Sequence, residues 1–270
     1  MVKKVISRVF IYGMLLLMYA PLLLLIVFSF INKEQMNFSD LFKPGNFSFE
    51  LYNQLFYGED GETVIQAFNN TLLVAFVSAF VSTILGTLGA IGIFYSGKRM
   101  RRVYEMAGQI PILNPEIITA LSLTILFVFV GISFNFITLL IGHVVLTIPF
   151  VVLSITPKLK QMDPNIYEAA LDLGAKPRKA LTKIIIPQIL PGIISGFILA
   201  VTLSLDDYII TAFTRDNSFV TLSTYVYGIT SKRGALPPTL RALTAIIFGA
   251  TFIILIIYNV IAAKGKKKRG

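Results

Sequence analysis

The chain has 270 residues, 55% of them hydrophobic and 14% charged, with a mean hydropathy of +0.77. Soluble domains carry nearer a quarter charged residues, so this composition describes a chain that crosses a membrane several times. The net charge of +10 lies in short basic tracts beside apolar runs, the pattern of the positive-inside rule, which argues against nucleic acid. The absence of cysteine removes disulfides, thiolate metal sites and a cysteine nucleophile.

Apolar runs near the ~20 residues needed to cross a bilayer fall at about 9–31, 69–96, 109–130, 136–156, 184–213 and 240–263. They predict an all-α membrane protein of about six spanning helices, built as one domain over 1–270 without internal repeats. The first run follows Lys3, Lys4 and Arg8. It is too long for the apolar region of a signal peptide and lacks a small-residue cleavage site, so it is expected to persist as a helix.

Charge sets the expected orientation. With the N-terminus inside, the inner segments hold Lys3, Lys4, Arg8, Lys98, Arg99, Arg101, Arg102, Lys158, Lys160, Lys176, Arg178, Lys179, Lys183, Lys264, Lys266, Lys267, Lys268 and Arg269, most of the 24 basic residues. Both termini and the segment 157–183 are therefore expected on the cytoplasmic side. The outer loop 32–66 sets Glu34, Asp40, Glu50, Glu59, Asp60 and Glu62 against Lys33 and Lys43. Such an acidic face would attract a cation, and an ordinary solvated loop accounts for it as well. The loop 214–239 puts Lys232 and Arg233 outside.

Small residues let helices approach closely in lipid. Ser78, Ser82, Gly86 and Ala90 make one stripe, Gly192, Gly196, Ala200 and Ser204 a second, and Ala245 with Gly249 a shorter third. Ionisable groups at membrane depth must be paired or face water. Asp207 lies eleven residues past Gly196, close to three turns. On a regular helix it joins the inward small-residue face and could line a translocation path, with Asp206 about a quarter turn away. A helix-end carboxylate reaching interfacial water is the plainer alternative.

Glu116 follows Asn114 and Pro115, with Pro111 just upstream. Asn as cap and Pro as first residue signal a helix starting inside the apolar run. Broken helices belong where they face protein or a water-filled cavity. Glu116 would be a second carboxylate on a cation path, or would cap its own helix. His143, alone on an apolar helix, reads as a hydrogen-bonded packing residue and not a metal ligand. Gly92 to Lys98 spells G-x-x-x-x-G-K, but Arg99 replaces the Ser or Thr of a phosphate loop and no strand precedes it. No nucleotide site is read there.

Between the fourth and fifth runs, Asp163 to Pro191 reads DPNIYEAALDLGAKPRKALTKIIIPQILP. Asp163 suits an N-cap, Pro164 the first helical position and Gly174 the left-handed residue past a helix end. A short helix over 164–173 is expected. Ile166, Ala169, Ala170 and Leu173 would share one side of it, and Glu168 and Asp172 another. Glu168-Ala169-Ala170, three residues, Gly174, nine residues and then Ile184-Ile185-Ile186-Pro187 resembles the EAA loop of ABC-importer permeases, with Ile186 where that family has Leu. SLDDYIITAF, NTLLVAFVSAF and PILNPEIITALSLTILF resemble the spermidine/putrescine importer permeases, although related permeases for iron, sulfate or opines share parts of them.

The resemblance implies a type I ABC-importer permease fold. It implies that Glu168, Ala169, Ala170, Gly174, Ile184 and Pro187 couple the chain to an ATPase. It also implies a second permease completing the pore, two ATPase subunits holding ATP and magnesium, and an extracellular or periplasmic binding protein. This chain would be a multi-pass, non-enzymatic subunit of a bacterial inner membrane, with no cofactor or metal of its own. Asp207, Asp206 and Glu116 would guide the polyamine. A permease for another solute and an ion-coupled secondary transporter are the open alternatives.

Overall fold

A computed structural model describes residues 2–32, 46–163, 165–233 and 237–267. Lys33, Glu34, Asp40, Lys43, Pro164, Lys268 and Arg269, which entered the reading above, lie outside these. The chain divides into two compact units, one formed by Met1–Gln66 with Tyr225–Gly270 and one by Ala67–Thr224.

In the described residues the chain is almost wholly helical. The helices are α1 (Val2–Phe28), α2 (Glu50–Tyr57), α3 (Glu59–Tyr95), α4 (Lys98–Leu113), α5 (Glu116–Val130), α6 (Phe136–Gln161), α7 (Ile166–Asp172), α8 (Pro177–Ala180), α9 (Ile186–Asp206), α10 (Ile209–Thr214), α11 (Leu222–Arg233) and α12 (Pro238–Lys267). Four stretches are long and apolar enough to span a membrane: Ser7–Phe28, Gly61–Tyr95, Phe136–Gln161 and Pro177–Asp206. Among the described residues α4 and α5 reach that length and hydropathy only when taken together, across a bend of 101°, and Pro238–Ile253 within α12 is a shorter apolar helix. Of the about six spans expected, the described residues thus carry four, or five with the bent pair, and the last apolar run falls short of the length as Pro238–Ile253.

In the first unit Ser29 bonds Tyr52 at 2.6 Å, and Ile31 bridges Phe47. Leu51 and Leu55 bury one face of α2, and Leu240, Ala242 and Leu243 bury one face of α12. The second unit is centred on α3, α6 and α9. Ser78, Ser82, Gly86 and Ala90 of α3 are all buried, as are Gly192, Gly196, Ala200 and Ser204 of α9. The closeness is steric: a Cβ on Gly86 would lie 2.7 Å from Val151 Cγ1, and one on Gly192 2.9 Å from Lys158 Cγ. Ser82 and Thr147 share a buried hydrogen bond of 2.6 Å where the backbones are near. Outward faces remain apolar and exposed, Phe129 at 88% for example, because lipid and not water is their solvent.

Candidate functional site

The fifth apolar run is not one regular helix. From Pro177 it forms α8, a five-residue π-helix at Leu181–Ile185, and then α9. Pro187 explains the π turn: without an N–H, and with its ring against the carbonyl four residues back, it breaks the regular ladder. The Ile186 N–H bonds Leu181 C=O instead, five residues back. At the other end α9 stops at Asp206, and Asp207 adopts an extended backbone (φ −66°, ψ 131°). The regular continuation that would carry Asp207 on the small-residue face therefore does not occur.

Asp207 instead begins a new helix. Its Oδ1 accepts from Ile210 N–H at 3.1 Å. Its Oδ2 accepts from the N–H and the hydroxyl of Thr211, both at 2.8 Å. It is thus the side-chain cap of α10, and it is buried. His143, also buried, sets Nε2 2.9 Å from Thr211 Oγ1 and 3.6 Å from Asp207 Oδ2, and Nδ1 2.7 Å from Ser204 Oγ. It is a hydrogen-bonded histidine, as its isolation in the sequence suggested. Being two turns into α6, it stands about 10 Å along the axis from that helix's start, within a stretch long and apolar enough to span a membrane. Asp206 is exposed on the last turn of α9.

Glu116 starts α5 directly after the 101° bend and is exposed. The broken helix expected from Asn114-Pro115 is present, with a different division of labour. Asn114 closes α4, which runs from Lys98 across Pro111, and Pro115 occupies the cap position of α5 without a side-chain bond. Proline's fixed φ and its disfavour for a helical preceding residue put the break between the two. The fold packs α5, which Glu116 opens, against α10, which Asp207 caps, although Glu116 stands some 90 positions before the aspartate pair in sequence. Thr124 Oγ1 bonds Phe213 C=O at 3.0 Å and Thr138 Oγ1 bonds Thr214 C=O at 2.8 Å, which seats α10 against α5 and α6.

The partners of these acids were not singled out in the sequence. Thr211 carried no signal of its own, because a cap at Asp207 requires only backbone N–H groups and names no side chain four residues on. Ser204 was seen only as a packing residue. The double bond of Asn135, whose Oδ1 accepts from Ile137 and Thr138 N–H while Thr138 Oγ1 accepts from Asn135 N–H, was legible as a capping box.

The EAA stretch folds as α7, the Gly174 turn, α8 and the π turn. The short helix runs Ile166–Asp172, and Pro164, its expected first residue, lies outside the described residues. The Asp163 carboxylate accepts from Asn165 N–H at 2.9 Å, an Asx turn ahead of the helix and not its cap. Gly174 has φ +82°, with Gly174 N–H to Leu171 C=O and Ala175 N–H to Ala170 C=O at 2.8 and 3.0 Å. This is the Schellman ending. The expected apolar face divides. Ile166 and Tyr167 pack on the core that contains Ile155, Leu159 and Ile185, and Ala170 is buried. Ala169 and Leu173 face out with Glu168 and Asp172, Leu173 being 89% exposed. Ile184 is half-buried and Pro187 exposed.

Residues 82–266 match the family described as the binding-protein-dependent transport system inner membrane component. The chain is 32% identical to the spermidine/putrescine transport system permease protein PotC of Haemophilus influenzae, over 92% of each chain. It is also 32% identical to the putrescine transport system permease protein PotI of Escherichia coli K12, over 93% of this chain and 89% of that one. Its fold resembles that in a bacterial ABC transporter importing the acidic polysaccharide alginate, with TM-score 0.65 and 18% identity over 97% of this chain and 98% of that one. The chain belongs to the family of binding-protein-dependent transport system inner membrane components, as a multi-pass membrane permease.

Proposed function

We propose that this chain is the permease subunit of an ATP-driven importer of polyamines, spermidine or putrescine. One observation supports the reading: the exposed carboxylates of Asp206, at the end of α9, and Glu116, at the start of α5, stand on two elements joined through α10, which the buried Asp207 caps. The relatives at 32% identity are named for spermidine and putrescine transport. A linear polycation stripped of water needs charge-assisted hydrogen bonds to carboxylates. Asp206 and Glu116 would bond its ammonium groups, and Asp207 would add fixed negative charge behind them. The chain itself would catalyse no reaction and bind no cofactor.

Coupling would run through the segment 157–183. The outward face of α7, with Glu168, Ala169, Asp172 and Leu173, is short and edged by small residues, so a groove on an ATPase subunit could receive it. Gly174 ends this helix sharply, and Ile184 and Pro187 sit at the π turn that joins it to α9. ATP and magnesium would be held by two ATPase subunits, a second permease would complete the pore, and an external binding protein would deliver the substrate. Both termini and α7 would face the cytoplasm, as the basic tracts argue.

Co-expression with the neighbouring transport subunits, followed by labelled spermidine and putrescine uptake into proteoliposomes, tests the reading. Uptake should require ATP and the binding protein, and should fall at least about tenfold in Asp206→Asn and Glu116→Gln, the scale of one lost charge-assisted bond. Uptake driven by membrane potential without ATP, or wild-type polyamine uptake in both variants, would sink it.

A further inference from the structure

Donor counting around the α9–α10 joint fixes the state of a group that the transport reading leaves unused. Thr211 has one hydroxyl hydrogen, and it goes to Asp207 Oδ2. Its contact with His143 Nε2 must then be one in which Nε2–H donates. On the other side of the ring, Ser78 Oγ shares its one hydrogen between Ala75 C=O at 3.2 Å and Ser204 Oγ at 3.1 Å. Ser204 is left with its own hydrogen for His143 Nδ1 at 2.7 Å, so Nδ1 is the acceptor. The imidazole is therefore neutral with its hydrogen on Nε2. The bonds form a one-way chain from α3 through α9, α6 and α10, ending on a carboxylate.

We propose that His143 is a positioning residue for substrate recognition: by closing the chain Ser78, Ser204, His143, Thr211, Asp207, it fixes the joint between α9 and α10 and hence where Asp206 and Glu116 hold their carboxylates. This rests on the reading of those two acids as the amine-binding groups. Asp206 is the residue next to the fixed Asp207. Glu116 opens α5, which α10 grips through the Thr124 to Phe213 bond. The ring itself is buried and touches no substrate. Its effect is to hold the cap of α10 closed: the bond from Nε2–H to Thr211 Oγ1 orients that hydroxyl so that its hydrogen points at Asp207 Oδ2.

The test uses the whole reconstituted importer with His143→Ala and His143→Gln. Glutamine presents an N–H donor at nearly the reach of Nε2. His143→Ala should raise the apparent KM for spermidine about tenfold, the scale of a lost bond to a charged network, with turnover within about twofold. His143→Gln should restore KM to within about threefold of wild type. Unchanged KM in the alanine variant, or an equal fall in turnover for both variants at unchanged KM, overturns the proposal.

The chain's single histidine also gives a readout that survives an unstable variant. In the complex grown with ¹⁵N-histidine, the signals missing from the His143→Gln complex belong to this ring. They should show protonated Nε2 and unprotonated Nδ1 at neutral pH. A proton on Nδ1, alone or with Nε2, overturns the hydrogen-bond chain. A wild-type complex that takes up no polyamine would sink the substrate reading alone, and the ring signal would still decide the chain.

Discussion

Tyr95 and Tyr167 bring their rings to centroids 5.1 Å apart, with planes inclined at 46°. Tyr95 is the last residue of α3 and Tyr167 lies on α7, so one aromatic contact joins the exposed short helix to a membrane span. Phe94 meets Tyr95 edge-on at 5.1 Å, and the Arg101 guanidinium lies 5.0 Å over the Phe94 ring. An aromatic pair contributes ~1 kcal/mol beyond its burial. Tyr167→Ala should therefore loosen α7 on its own protein while leaving the outward face intact. In the reconstituted importer, stimulation of ATP hydrolysis by the loaded binding protein should fall about fivefold, and Tyr167→Phe should keep it. Wild-type stimulation in the alanine variant would remove this contact from the coupling route.

Gly174 makes a sharper test of the same segment. Its φ of +82° is strained for any residue with a Cβ, and no atom lies within 4 Å of where that Cβ would be. The cost of Gly174→Ala is then conformational alone, ~1–2 kcal/mol. It should appear as faster amide exchange at Gly174 and Ala175, whose N–H groups close the Schellman bonds, while exchange along α9 stays unchanged. Slow exchange at both amides in the variant would show that the left-handed turn survives a side chain.

The Gly174 ending and the two longer small-residue stripes were legible because each depends on residue type at fixed spacing, whereas the N-caps expected at Asp163 and Asn114 are not formed. Gly174 past a short helix and Ser78 to Ala90 along α3 needed no partner to be recognised. The joint at Asp207 was not legible. A period of 3.6 extrapolates a helix until something stops it, and what stops α9 is the network around Asp207: Thr211 four residues on, and His143 sixty-odd residues earlier in the chain. The division of the α7 face was hidden for a similar reason. Spacing groups Ile166, Ala169, Ala170 and Leu173, but only the core under Ile166 and Tyr167 decides which of them faces in.

Two glycines one turn apart on α3 separate packing from propensity. A Cβ on Gly86 would lie 2.7 Å from Val151 Cγ1 and 2.9 Å from its Cβ, whereas Gly89 has nothing within 4 Å. Val151 is fully buried and β-branched, so it has little room to move. Gly86→Ala should cost about 1–3 kcal/mol through overpacking. Gly89→Ala should be neutral or slightly stabilising, since alanine is the better helix former. Thermal unfolding of the purified complex in one detergent compares them, and equal midpoints would contradict the tight α3–α6 contact.

The loop after α10 carries a pH dependence whose sign follows from its bonds. Asp216 is held below the usual carboxylate range, first by the Ser218 hydroxyl and then by the Asn217 N–H. A depressed pKa means that the folded loop prefers the ionised form. Its contribution is fully present above the ordinary aspartate range, near 4, and is lost as pH falls through the lowered value. Phe219 N–H to Asp216 C=O closes the same turn, and Arg215 Nη1 donates to Phe219 C=O at 2.9 Å. Asp216→Asn should lower the protection of amides in 216–219 at neutral pH, and that protection, taken relative to the intrinsic exchange rate at each pH, should no longer change with acid. Acid-sensitive protection in the asparagine variant would assign the effect to another group.

The two adjacent aspartates should respond differently to the same change. Asp207 accepts three hydrogen bonds through two oxygens, two of them from backbone N–H groups at the start of α10. Asparagine has one acceptor oxygen, so its amide nitrogen must face a donor in a buried place. Bonds to a buried charge are worth about 1.5–3 kcal/mol each, and Asp207→Asn should lower the unfolding midpoint of the complex together with its uptake. Asp206 is exposed on the last turn of α9, where asparagine costs the fold little. Asp206→Asn should leave the midpoint within about a degree of wild type and still lose uptake, with the loss in KM. The same pair of measurements on both variants decides between them. A stable Asp207→Asn complex with impaired uptake would make Asp207 an amine ligand after all, and a destabilised Asp206→Asn complex would make Asp206 part of the joint.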